Sequence, residues 1–103
     1  MKRWVAERTT QDLIDGKVWR DEDVAMVWQR YGFEAFSSRE AKDKARVMLV
    51  GMIMKEAWGW YGMDQDHTAL NMYTRGAQQI AEGKADEYKH PQTGVIYRLR
   101  KEG

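Results

Sequence analysis

The sequence predicts an α+β domain that is mainly α-helical, with about four helices and a small C-terminal β hairpin. Capping residues and terminating glycines divide most of the chain into segments of helical length. In the middle segments apolar residues recur every three to four positions, whereas in VIYRLRK near the end they alternate with a period of two. A chain of 103 residues fits one domain, 1–103, with a single modest core.

The first predicted element, TTQDLIDGK, has two interpretations. Thr9 as N-cap and Gly16 as terminator favour a short helix. The dipeptide DG is also a hairpin signal, which would make QDLI and KVWR a pair of short strands. We prefer the helix, and expect RWVA at residues 3–6 to be available as a third strand for the C-terminal hairpin.

The next segment, RDEDVAMVWQRYG, predicts an amphipathic helix over residues 20–32. Acidic residues stand at its start, where the helix dipole favours them, and Gly32 suits its exit. Its apolar positions follow the i, i+3, i+4, i+7 pattern, which predicts packing on a core.

A long central helix is predicted to start near residue 38, after a capping box formed by Ser37 and Glu40, and to stop at Gly62. From residue 47 to 54 every position but Gly51 is apolar. A helix that is apolar all round is a buried one, so we expect its second half to run through the core. A buried strand over VMLVGMIM has the same lack of periodicity, but the helix-forming lead EAKDKAR favours a helix. Close approach of another backbone is the expected reason for glycines at 51 and 59.

The last third of the chain predicts a helix followed by a hairpin. The helix covers 65–82, with Asp64 as its cap and Gly83 after its end. DEYK and VIYRLR, joined by the turn residues HPQTG, form the hairpin.

No pattern in the sequence predicts catalysis. DQDH brings together Asp64, Asp66 and His67, but acidic residues are what a helix start requires, and the spacing is not that of a metal site. Ser37 and Ser38 are interpreted as caps, and no glycine-rich phosphate loop is present. The chain has no cysteine, so disulfides and thiolate chemistry are excluded. We therefore expect a protein that is not an enzyme and uses no metal or cofactor.

The same sequence also predicts where the protein is located. The basic N-terminus lacks the apolar segment of a signal peptide, and no apolar run approaches the roughly 20 residues of a membrane span. A cytoplasmic protein without membrane contact is the expectation. In size and composition the chain is similar to small proteins of phages and mobile elements, although no residue motif carries that likeness.

Protein binding is the favoured function. The formal net charge is only +1, and the chain has seven methionines and five tryptophans. Methionine packs adaptably, and tryptophan and tyrosine are enriched at binding hot spots. We expect a small accessory protein that modulates or inhibits a larger protein partner, and homodimerisation is a second outcome. The predicted contact residues are Trp58, Trp60 and Tyr61.

The alternative is a DNA-binding regulator. Two helices joined by a glycine-containing turn and followed by a hairpin resemble winged helix-turn-helix domains in element order. In that hypothesis the helix over 65–82 reads bases and the hairpin contacts phosphates. The residues concerned are Asn71, Arg75, Gln78, Gln79, Lys89, Arg98, Arg100 and Lys101. Aspartates at the start of that helix argue against it, because they repel phosphates.

Overall fold

A computed structural model describes residues 3–16, 32–37, 39–64 and 67–102 of the chain. In this part, two long helices lie on one face of a four-stranded antiparallel sheet. The elements in chain order are β1 (Arg3–Thr10), α1 (Gln11–Ile14), β2 (Gly32–Phe36), α2 (Ala41–Asp64), α3 (His67–Ala81), β3 (Glu87–Lys89) and β4 (Val95–Glu102).

The sheet joins the two ends of the chain. Its strand order is β2-β1-β4-β3, with all neighbouring strands antiparallel. In the central pair Ala6 lies opposite Leu99, and in the hairpin Tyr88 lies opposite Tyr97. The N-terminal strand is thus not an optional addition to the hairpin, because it occupies the centre of the sheet.

The core lies between the sheet and the helices. Because strand side chains alternate between faces, Ala6, Tyr97 and Leu99 point together toward the helices and belong to the main cluster of buried residues. Helix α2 contributes a stripe at every fourth position: Ala41, Ala45, Leu49, Ile53 and Ala57. Helix α3 adds Tyr73, Ala77 and Ile80. On the other face of the sheet Val5, Glu7, Thr9 and Ile96 are buried as well.

Three contacts fix α2 to its neighbours. The Arg46 guanidinium donates a 2.6 Å hydrogen bond to the carbonyl of Ile80, near the C-terminal end of α3, where carbonyl groups lack partners within the helix. It also forms an ion pair with Asp86 at 3.3 Å. The Glu56 carboxylate accepts a 3.1 Å hydrogen bond from Arg8 of β1. Near the start of α2, the Lys42 ammonium lies 4.8 Å from the Trp4 ring centre.

The predicted set of about four helices is wrong for the part of the chain that the structure describes. Two helices exceed one turn there, and α1 is a single turn of four residues. Thr9 does not cap α1; it lies within β1 and is 1% exposed. QDLI is helical rather than a strand, and Gly16 follows it with φ of 73° as a terminator. The helix predicted over 20–32 lies outside the described residues as far as residue 31. Its last residue, Gly32, begins strand β2.

The other boundaries are shifted by a few residues. Helix α2 begins at Ala41, where the Glu40 carbonyl accepts the first helical hydrogen bond, and continues past Gly62 to Asp64. Asp64 is therefore the last residue of α2. Helix α3 and the hairpin lie where the sequence predicted them, and Gly83 follows α3 with φ of 74°.

Candidate binding surfaces

Helix α2 is apolar on its exposed side as well as on its buried side. Val47 is 74% exposed, Met48 37% and Trp58 58%. Gly51 lies between them and is also exposed. We call Val47, Met48, Gly51 and Trp58 the α2 face. The prediction that the second half of α2 runs buried through the core is therefore wrong, because this half is exposed on one side, although Val50, Met52 and Met54 pack partly on the core.

A groove of about 620 Å³ lies along the N-terminal half of the α2 face. Its lining combines apolar and charged side chains. Its lining residues are Phe36, Glu40, Asp43, Lys44, Val47, Met48 and Gly51. An apolar floor with a charged rim is the usual construction of a protein–protein contact.

The glycines of α2 do not pack closely on another part of the chain that the structure describes. A Cβ built at Gly51, Gly59 or Gly62 would meet no atom within 4 Å, apart from the helix's own neighbouring backbone. The predicted close approach of a second backbone is therefore wrong for Gly51 and Gly59. A different contact surrounds Gly76 of α3, where a Cβ would lie 2.6 Å from Cγ and 2.8 Å from Cε1 of the Tyr88 side chain.

The predicted protein-binding residues lie at the C-terminal end of α2. Trp58 is exposed on the α2 face. Residues 60 and 61 continue the helix, but the side chains of Trp60 and Tyr61 are outside the described part of the structure. Sequence reasoning missed Val47 and Met48, which it assigned to the core. A helix without a polar side carries no periodic signal that could have separated its two faces.

A second groove, of about 560 Å³, separates α3 from the β3–β4 hairpin. Three residues of the predicted nucleic-acid set, Asn71, Arg75 and Gln79, follow its helical wall. The remaining lining residues are Thr68, Met72, Gly76, Tyr88 and Pro91. Gln78, predicted alongside Gln79, instead donates a 3.1 Å hydrogen bond to Glu82.

The basic residues of the hairpin do not share a surface with α3. Arg98 and Arg100 lie on the sheet face opposite the helices, since their neighbours Tyr97 and Leu99 face the core. Both donate to the carboxylate of Glu7, at 2.6 Å from Arg98 and 3.3 Å from Arg100. Lys89 lies opposite Ile96 on the same face.

Lys101 lies opposite Trp4, on the helix-facing side of the sheet, and is exposed. The structure thus divides the predicted nucleic-acid residues among three places.

Behind the second groove lies a buried aromatic cluster. Tyr73 makes edge contacts with Tyr88 and Tyr97, with ring centres 5.7 and 6.2 Å apart, and its ring centre lies 4.4 Å from that of His90. The Tyr88 hydroxyl lies 3.4 Å from Nδ1 of His90. Arg8 donates a 3.4 Å hydrogen bond to the Tyr97 hydroxyl, which links the cluster to Glu56.

Burial sets the protonation of this cluster. It raises the pKa of Tyr97 to about 12, against a lowering effect from the Arg8 hydrogen bond. The pKa values of Tyr73 and Tyr88 are also raised, in both cases mainly by burial. The pKa of His90 is lowered by burial, which the negative charge of Glu56 opposes. At neutral pH these groups are uncharged and support the groove as a rigid wall.

The described residues show no arrangement for metal chemistry. No group of three His, Asp or Glu side chains among them comes close enough to hold an ion. His67 is exposed at the start of α3, and Ser37 is exposed before α2. Within the same residues, no helix is both long and apolar enough to cross a membrane.

Comparisons of the chain with protein-family models, with curated proteins and with solved structures find no match. The class of the protein therefore has to be argued from its own surfaces.

Proposed function

We propose that this chain is a non-enzymatic accessory protein that binds a larger protein partner through the α2 face and thereby modulates or inhibits it. The observation that carries the proposal is the exposure of Val47, Met48 and Trp58 on one side of a single helix. Apolar side chains exposed one at a time are ordinary, whereas several exposed on one side of one helix are typical of an interaction site.

The glycines of α2 support the same function. Glycine in a helix interior costs about 0.5–1 kcal/mol relative to alanine. Gly51 and Gly59 have open space on their Cβ side, so no contact within the described chain explains that cost. A partner's side chains lying directly on the helix backbone would explain it.

Charges around the face fit a rim. Asp43, Lys44 and Lys55 are all exposed and flank the apolar positions. Both signs occur, so the rim favours a partner with mixed charges rather than a strongly acidic polymer.

A site-specific photo-crosslink tests the proposal. The photoreactive residue p-benzoylphenylalanine replaces Val47 in one protein and Gln92, in the exposed β3–β4 turn, in a control protein. After irradiation in an extract of the source organism, we expect one discrete crosslinked partner from position 47 and none from position 92.

The affinity of that partner is then measured with purified proteins. Val47→Asp should weaken binding about tenfold or more, because it places a charge in an apolar contact, whereas Gln92→Asp should leave it unchanged. Crosslinking of position 47 to a second copy of the chain would identify the face as a homodimer interface. Equal crosslinking from positions 47 and 92 would contradict the proposal.

A further inference from the structure

The second groove lies beside an open edge of the sheet. Among the described strands β3 is the last in the order, with β4 on one side and no strand on the other. Its outer residues Glu87 and Lys89 are exposed.

The hydrogen-bond register shows which backbone groups of β3 face outward. Leu99 donates its N–H to the carbonyl of Asp86, and His90 donates to that of Val95. Hydrogen-bonded pairs alternate along an antiparallel ladder, so Asp86, Tyr88 and His90 face β4. The N–H and C=O groups of Glu87 and Lys89 therefore point away from the sheet, ready to pair with an added strand.

The helical wall of the groove carries polar groups that are not engaged elsewhere. Asn71, Arg75 and Gln79 are exposed, and none of their side chains forms a hydrogen bond or ion pair with another residue of the described ranges. Their neighbours Thr74 and Gln78 are engaged, with Leu70 and Glu82.

The spacing of these groups matches an extended chain. Residues four apart on a helix are about 6 Å apart along its axis. Alternate residues of a strand, which point to the same side, are separated by about 6.6–6.8 Å. A strand added to β3 and aligned with α3 would thus place alternate side chains of one face beside successive turns of the helix, where Met72, Arg75 and Gln79 lie.

The floor of the groove is aromatic and packs against α3. Gly76 leaves room for the Tyr88 ring against α3, and Tyr73 supports that ring from the core. Arg75 is the only charged side chain among the described lining residues.

From this geometry we infer that the groove binds an extended segment of a partner protein as an additional strand beside β3. The segment carries an acidic side chain for Arg75 and, two residues along, an apolar side chain for Tyr88 and Met72. This site is separate from the α2 face and does not depend on the function proposed for that face.

The test uses a phage-displayed library of random heptapeptides selected on the full chain. A synthetic, fluorescently labelled peptide of the selected consensus is then titrated by anisotropy. We expect the consensus to contain an acidic residue with an apolar residue two positions away. Hydrogen exchange followed by NMR should show the amides of Glu87 and Lys89 becoming protected when the peptide binds.

Proline at the edge provides the decisive variant. The Lys89 N–H does not take part in the β3–β4 ladder, so Lys89→Pro should fold and melt like Lys89→Ala. It removes an outward donor and blocks the added strand, so we expect binding about tenfold weaker or more than for Lys89→Ala. Gln79→Ala should weaken binding several-fold, whereas Gln78→Ala should not.

Three results would overturn the inference. They are a selection that enriches no peptide, a consensus without an acidic residue, and a selected peptide that binds Lys89→Pro and Lys89→Ala equally. Tight binding of labelled single-stranded oligothymidylate that depends on Arg75, with no peptide enriched, would assign the groove to nucleic acid instead.

Discussion

Glu7 is a buried acidic residue in β1, with only 2% of its surface exposed. A buried carboxylate is tolerated when charged donors surround it, and here Arg98 and Arg100 both donate to the same oxygen. The side chains of Arg98 and Arg100 are 25% and 34% exposed to solvent, so their guanidinium groups remain partly hydrated. This arrangement fixes the register of β1 on β4 by a charged contact as well as by the backbone ladder.

We expect Glu7→Gln to lower the free energy of unfolding by about 2 kcal/mol. Removing one member of a buried ion pair costs about 3–5 kcal/mol, and the partial exposure of the arginines reduces that cost. Urea unfolding at pH 7 measures it. Glu102→Gln is the matched control, because Glu102 is 40% exposed and lies 3.6 Å from Arg100, and it should cost no more than about 0.5 kcal/mol. Equal losses in the two variants would mean that Glu7 gains nothing from its burial between arginines.

His90 makes the stability of the fold depend on pH. Burial lowers its pKa below the ordinary value of 6.5, so the folded state holds the neutral ring. As the pH falls through 6.5, the unfolded chain takes up a proton that the folded chain does not. The contribution of His90 is therefore fully present above that pH and is lost progressively below it.

The melting temperature should accordingly fall between pH 7.5 and pH 5, and His90→Gln should flatten this dependence. Thermal unfolding of the unmodified protein and of His90→Gln at several pH values measures the effect. A dependence that survives in His90→Gln would assign it to carboxylates rather than to the imidazole.

At the scale of elements, the two long helices use glycine in opposite ways. Because Gly76 of α3 has no side chain, the Tyr88 ring packs directly against the helix there. Gly51 of α2 instead faces open space. One glycine is explained by packing within the chain and the other is not.

Alanine at these two positions should change stability in opposite directions. Gly51→Ala should raise the free energy of unfolding by about 0.5–1 kcal/mol, since it adds helix propensity without a clash. Gly76→Ala should lower it by about 1–3 kcal/mol, because the new methyl group displaces Tyr88. Chemical denaturation of both variants gives the comparison. A loss of stability in Gly51→Ala would show that its Cβ side is already occupied within the chain.

Local signals in the sequence predicted α3, Gly83 and the β3–β4 hairpin, since caps, turns and periodicity act over a few residues. They did not predict the sheet, because β1 pairs with a strand about 90 residues away and both faces of its sequence are buried. Residues 32–36 were not recognised as a strand for a similar reason: their pairing partner is β1. The candidate sites were predicted in part, with Trp58 and three α3 residues named but Val47, Met48 and Tyr88 missed. Which side of an apolar helix is covered depends on the sheet it packs against.

At the scale of the whole molecule, the distribution of positive charge matters more than its total. The formal net charge is +1. Arg8 and Arg46 hold the layers together through Glu56 and Asp86, and Arg98 and Arg100 bind Glu7 on the far face of the sheet. The cations that the DNA-binding hypothesis needs on one surface are thus separated or already paired.

We therefore expect a labelled random DNA duplex, titrated by fluorescence anisotropy, to show no binding at physiological salt. At low salt any binding should be weak. The logarithm of its association constant should fall with the logarithm of salt concentration with a slope shallower than about −2, because the described cations that the hypothesis names do not gather on one surface. The double variant Arg98→Ala and Arg100→Ala should not alter that weak binding, since its arginines are engaged by Glu7. Micromolar affinity with a steep salt dependence, lost in the double variant, would instead mean that the Glu7 pairs open for phosphate, and would favour the DNA-binding function over a protein partner.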